Sequence, residues 1–145
     1  MNLKVKLPTW FWVVTILLLI WNILGLLAFA GDMAMNANPE MMAELPEEQQ
    51  EMYANRPGWV TFSFGLAVIS GFIASIGLVL KKAWAVPLFI VSFIAVILND
   101  IGMFGVMKVQ ETAEGAQLIM TVVVFLLCIF QIWFSRSARM KGWIN

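Results

Sequence analysis

The stretch Phe93–Met107, FIAVILNDIGMFGVM, sets Asn99 and Asp100 inside an otherwise apolar run. A carboxyl in such a place can bind a proton, a cation or a polar solute. It can also act with Asn99 as hydrogen-bonding glue that fixes helix register. Both readings stay open on the sequence alone. Carrying a charged side chain into hydrocarbon costs about 2.5–3.5 kcal/mol even on insertion scales, so Asp100 should face protein and find polar partners. Arg56 and Lys108 are the candidate cations to pair with it.

Other chemistry is sparse. The chain has no histidine, which removes imidazole metal sites and Ser–His or Cys–His pairs within one chain. Cys128 is the one cysteine and lies in VVVFLLCIFQIW, which reads as a buried structural thiol. The methionines at 41, 42 and 52 have neither histidine nor a CxxC pair beside them, so they are expected to pack and not to bind metal. No nucleotide-binding loop is present. Catalysis would have to rest on Asp100, Glu51 or Tyr53. No enzyme, metal or cofactor is expected.

These residues need elements to hold them, and composition says which. The 145 residues are 61% apolar and 12% charged, whereas a soluble domain is roughly 45–50% apolar and about 25% charged. A small water-soluble domain cannot hide that much apolar surface. A lipid bilayer is therefore the expected solvent and first partner. Nine basic residues balance nine acidic ones, leaving no basic footprint, and nucleic acid is not expected as a partner.

Four apolar stretches are long enough to span: 10–30, 59–80, 86–107 and 116–134. They are continuous and not alternating, which points to helices over a barrel. The expected fold is a single all-α membrane domain, a four-transmembrane-helix antiparallel bundle. Residues 31–58 form its long outer loop. Within that loop Asn38–Pro39 and Pro46–Glu47–Glu48 read as starts of short helices, with Met41, Met42, Leu45, Met52 and Tyr53 as an apolar face. These helices could lie over an outer pocket.

Lys4, Lys6, Lys81, Lys82, Arg136, Arg139 and Lys141 fall on one side of the spans, and Arg56 and Lys108 on the other. Every acid except Asp100 (Asp32, Glu40, Glu44, Glu47, Glu48, Glu51, Glu111 and Glu114) falls opposite the basic cluster. The positive-inside pattern predicts a multi-pass protein with both termini cytoplasmic. Tryptophans 10, 12, 84 and 133 mark the inner boundary and Trp59 the outer one. SRSARMKGWIN at the C-terminus reads as an anchor on an anionic inner surface. The AFAG after the first apolar run resembles a signal-peptidase site, but that run is longer than a signal's apolar core and holds three tryptophans, so it is expected to stay as the first span.

Asp100 lies seven residues inside the end of the third span, a depth of roughly 10 Å. A helix stopping at Leu98 would be too short for a bilayer. Counted from the same side, Asn22, Ser63, Thr121 and Gln117 sit in the outer halves of the other spans. With Asn99 they would form an outward-facing polar pocket around Asp100. Ser63, Ala67, Ser70, Ala74 and Gly77 recur at spacings of four and three, a small-residue stripe for close helix packing. The third span offers Ser92, Ala95, Asn99 and Gly102 in return. The stripes could meet within one chain or across a homo-oligomer.

The segments WNILGLLAF, LPEEQQEMYANRPGWVTFSFGLAV and LKKAWAVPLFIVSF together resemble a group of small bacterial four-helix inner-membrane proteins, often given the transferred label "sugar transporter". The resemblance covers most of the chain and implies this fold and a bacterial inner membrane. Small multidrug transporters are similar in size but carry a glutamate in their first helix, where this chain has only Asn22. Two functions are expected from different classes. One is a small transporter or solute-binding protein using Asp100. The alternative is a non-catalytic accessory or scaffold subunit that docks a membrane protein partner.

Overall fold

The computed structural model describes residues 6–108 and 115–145. Lys4, Glu111 and Glu114 lie outside the described residues. The order is α1 (Thr9–Ala37), α2 (Pro39–Ala43), α3 (Glu47–Asn55), α4 (Gly58–Val79), α5 (Ala85–Asp100) and α6 (Gly115–Met140), with no strand among the described residues. A π-helical segment, Ile101–Val106, prolongs α5. Four helices are long and apolar enough to cross a membrane: Thr9–Ala37, Gly58–Val79, Ala85–Val106 and Gly115–Met140. The chain is thus an all-α, multi-pass integral membrane protein in a lipid bilayer. Both ends of the described chain and the α4–α5 turn lie at one end of the bundle, here called terminal. The α2–α3 segment lies at the other, distal, end.

Two helices overrun the expected spans. α1 continues seven residues beyond Ala30 and α6 six beyond Phe134. At 1.5 Å per residue α1 is about 43 Å long, more than the roughly 30 Å of hydrocarbon, so its last turns leave the bilayer. Asp32 can sit there because Arg56 meets it with two hydrogen bonds, at 3.2 and 2.7 Å. The guanidinium also lies 5.1 Å from the Tyr53 ring centroid. This clamp fastens the distal end of α1 to the segment between α3 and α4. Asn38 caps α2 by accepting from the amides of Glu40 and Met41, with Pro39 opening the helix. α3 starts after Pro46 with Glu47 and Glu48 in its first turn, where they complement the helix dipole.

α4 is the central helix, with α1 and α5 packed along it and α6 against α5. Lipid tails are as apolar as leucine, so close approach of backbones must hold such a bundle. Ser63, Ala67, Ser70, Ala74 and Gly77 are all buried in α4, and Ser92 and Ala95 are buried in α5. The Ser92 hydroxyl donates to the Ala67 carbonyl at 2.7 Å, which fixes the register of the pair.

The terminal half is closed by aromatic rings. Phe11 stacks on Phe134 with centroids 5.6 Å apart, and Trp143 meets both Phe11 and Trp10 edge-on. Phe11, Phe89, Phe134, Leu78 and Ile144 are almost wholly buried there. α6 ends in a Schellman turn: Gly142 takes φ 76°, Trp143 N–H reaches Ala138 O at 2.9 Å and Gly142 N–H reaches Arg139 O at 3.1 Å. The chain then lays Asn145 on the α4–α5 turn, donating to Lys81 O and accepting from Ala83 N–H. In the distal half α6 is bare. No residue of α6 before Cys128 is buried, and Ile119, Met120, Val122 and Leu126 are each more than half exposed.

Candidate functional site

Asp100 closes the regular part of α5. The backbone beyond it loosens into the π-helix, whose Met107 N–H bonds five residues back to Gly102 O at 2.9 Å. Single π turns often mark functional sites because the wider turn re-aims side chains. Gly102 permits the segment to lie flat on α4, since a Cβ there would strike the Val60 side chain and the Trp59 ring. Asp100 is half-buried and lines a cleft of ≈ 470 Å³ with Ile97, Ile101, Phe104, Gly105 and, across from α6, Phe125. Phe125 is held by an edge-on contact with Phe93, centroids 5.1 Å apart. Among the described residues no side chain donates a hydrogen bond to the Asp100 carboxylate, and Arg56, one of its two candidate cations, is spent on Asp32. An anionic group in an apolar, ring-lined cleft can recognise a lipophilic cation by charge, by ring faces and by area.

The polar residues expected around Asp100 do not gather there. Asn99 is its neighbour but donates to Val60 O at 3.1 Å, tying α5 to the start of α4. Ser63 donates to Trp59 O and Thr121 to Gln117 O, each within its own helix. Gln117 is exposed. Asn22 is buried and donates at 2.7 Å to both Leu18 O and Gln131 Oε1. Asn22 stands level with Gly71 and Ser92, so it meets Gln131 and not Asp100. Because α6 runs on to Met140, Gln131 stands deep and not at a boundary.

A buried polar junction results at mid-depth, with one contribution from each spanning helix. Asn22 comes from α1, Gln131 from α6 and Ser92 from α5, while α4 contributes the vacancy at Gly71. A Cβ on Gly71 would stand 2.5 Å from Asn22 Oδ1 and 3.2 Å from Ser92 Oγ. Thr15, Ser75 and Ser135 are also wholly buried toward the terminal end. Ser75 and Ser135 bond carbonyls of their own helices, while Thr15 Oγ1 has no partner among the described residues. Ser75, Ser92 and Gln131 are visible in the sequence as polar residues in apolar runs. The convergence of Ser92 and Gln131 on Asn22 carries no local signal.

Tyr53, outside the spans, has its phenol pKa raised above the ordinary 10.0 by burial first, then by its hydrogen bond to Asp32 and that carboxylate's charge, with Arg56 opposing. Cys128 is buried and free. Among the described residues no three histidine, cysteine, aspartate or glutamate side chains are grouped to hold a metal ion. Comparison of the chain with family models, curated proteins and solved structures yields no match.

Proposed function

We propose that this protein binds or transports a lipophilic cation through the cleft at Asp100, in a bacterial inner membrane with both termini cytoplasmic. The observation that carries the reading is a carboxylate with no side-chain hydrogen-bond donor or cation on it among the described residues, in an apolar cleft between α5 and α6 walled by Phe104 and Phe125. The cleft lining among the described residues is apolar but for Asp100, which favours a hydrophobic cation over a sugar-like solute that would need several hydrogen-bond donors and acceptors. Orientation is supported by Lys6, Lys81, Lys82, Arg136, Arg139 and Lys141 at the terminal end, against Asp32 and five glutamates at the distal end. The resemblance to small bacterial membrane proteins adds support for the membrane alone. Four helices are few for a transport path, so two or more copies would complete it.

The test is equilibrium binding of tetraphenylphosphonium to the full chain in nanodiscs. Asp100→Asn is expected to weaken binding about tenfold or more, the loss of roughly 1.4 kcal/mol. Unchanged affinity would remove Asp100 from the site. A second reading, an accessory subunit that docks a membrane partner, is favoured by the bare distal half of α6. Crosslinking from Val122→Cys in a Cys128→Ser background separates the two readings. A stoichiometric heterologous partner supports the accessory reading, and a homo-oligomer supports the first.

A further inference from the structure

A second cavity lies at the opposite end of the molecule from the Asp100 cleft. It is a groove of ≈ 690 Å³ between α5 and α6, lined by Phe93 from α5 and by Ile129, Ile132, Trp133, Arg136, Ser137, Met140 and Lys141. The α6 positions recur at spacings of three and four, so they form one stripe down a single helix face. The stripe changes character along its length. Ile129, Ile132 and Trp133 are apolar and lie deep. Arg136, Ser137 and Lys141 are polar and lie at the terminal end. From Ile129 to Met140 the helix rises about 16 Å, close to half of the roughly 30 Å hydrocarbon thickness. Phe93 stands eight residues above the start of α5, about 12 Å, which matches the depth of the Ile129–Trp133 portion.

We propose that this groove seats one anionic phospholipid of the terminal-side leaflet. An acyl chain lies along Phe93, Ile129 and Trp133, and the phosphate is held by Arg136, Lys141 and the Ser137 hydroxyl. Charge and depth argue together for this occupant. A guanidinium and an ammonium stand where a headgroup phosphate would be, directly above an apolar channel one leaflet deep. Lys141 is held in place by the faces of Trp143 and Trp10, with Nζ 4.7 and 5.7 Å from their centroids. Neither cation forms an ion pair with an acid among the described residues. A fork of donors on Arg136 suits two phosphate oxygens at once.

Native mass spectrometry of the full chain, released from detergent with phosphatidylglycerol or with phosphatidylcholine of the same chains, tests this. One phosphatidylglycerol is expected to stay bound in preference to phosphatidylcholine. Arg136→Gln should lower its retention about fivefold, as expected of one basic group at an anionic headgroup. Lys141→Gln should act in the same direction. Arg139→Gln, the same charge removed from outside the groove, should leave retention unchanged. Equal retention of the two lipids would overturn the proposal, as would equal loss in Arg136→Gln and Arg139→Gln. Displacement of the lipid by inorganic phosphate alone would also contradict it, because the acyl channel would then be irrelevant.

Discussion

The two halves of this bundle are built on different rules. The terminal half is closed at its core, inside the groove that runs along α6: rings interlock, the chain's last residues dock on a turn, and buried polar groups nearly all have partners. The distal half is open: α6 has no buried residue there, α5 unwinds into a π-helix, and a carboxylate lines an apolar cleft. The contrast separates two roles for polar residues in lipid. Asn22, Ser92 and Gln131 are satisfied and hold helices together. Asp100 has no side-chain partner among the described residues, which suits it to recognise something else.

The largest expected effect lies at Gly71. Adding a methyl group there pushes on Asn22, which is held by two hydrogen bonds, so Gly71→Ala should cost about 1–3 kcal/mol. At Gly105 in the distal half nothing lies within 4 Å of a new Cβ. Gly105→Ala should not lower stability. Unfolding in a detergent titration measures both, and equal losses would erase the distinction between the halves.

Breaking the distal clamp comes next. Arg56→Met leaves Asp32 without its partner and should cost about 2 kcal/mol by the same titration. A smaller loss is expected from Asn22→Leu, about 0.6–1.7 kcal/mol, because hydrogen bonds between membrane helices are modest. A measured loss well above that range would mean the junction does more than link α1 to α6.

Tyr53 gives the subtlest effect and a clean signal, since it is the chain's one tyrosine. Its folded-state pKa lies above 10.0. The folded state therefore holds the phenolic proton more tightly than the unfolded state. The stability this contributes is complete below pH 10 and is lost as pH rises through the folded value. Ultraviolet titration of the phenol should show a midpoint above 10.0 that falls in Asp32→Asn. A midpoint unmoved by that substitution would deny the contact.

Much of the fold could be read from the chain. Continuous apolar runs locate the four spans, and the stripe from Ser63 to Gly77 locates the face that α5 covers. The ends of α1 and α6 could not be read. Asp32 looks like a terminus until Arg56, 24 residues on, neutralises it. Depth counted from a span end does not say which way a side chain turns, so Asn22 appeared to be beside Asp100 when its partner is Gln131, 109 residues away. The Asp100 position itself was visible, because a carboxyl in an apolar run is conspicuous. Its solitude was not, since that depends on where every other polar side chain turns.

The two roles also predict opposite results at one residue. If Asp100 were glue, its replacement would loosen the bundle. If it is a recognition group, Asp100→Asn should keep or raise stability while binding is lost. The most direct measurement uses dicyclohexylcarbodiimide, an apolar reagent that couples to carboxyl groups within membranes, with peptide mass spectrometry as the readout. The account predicts an adduct on Asp100 that tetraphenylphosphonium suppresses. An Asp100 that stays unmodified, or is modified equally with and without the cation, would contradict it.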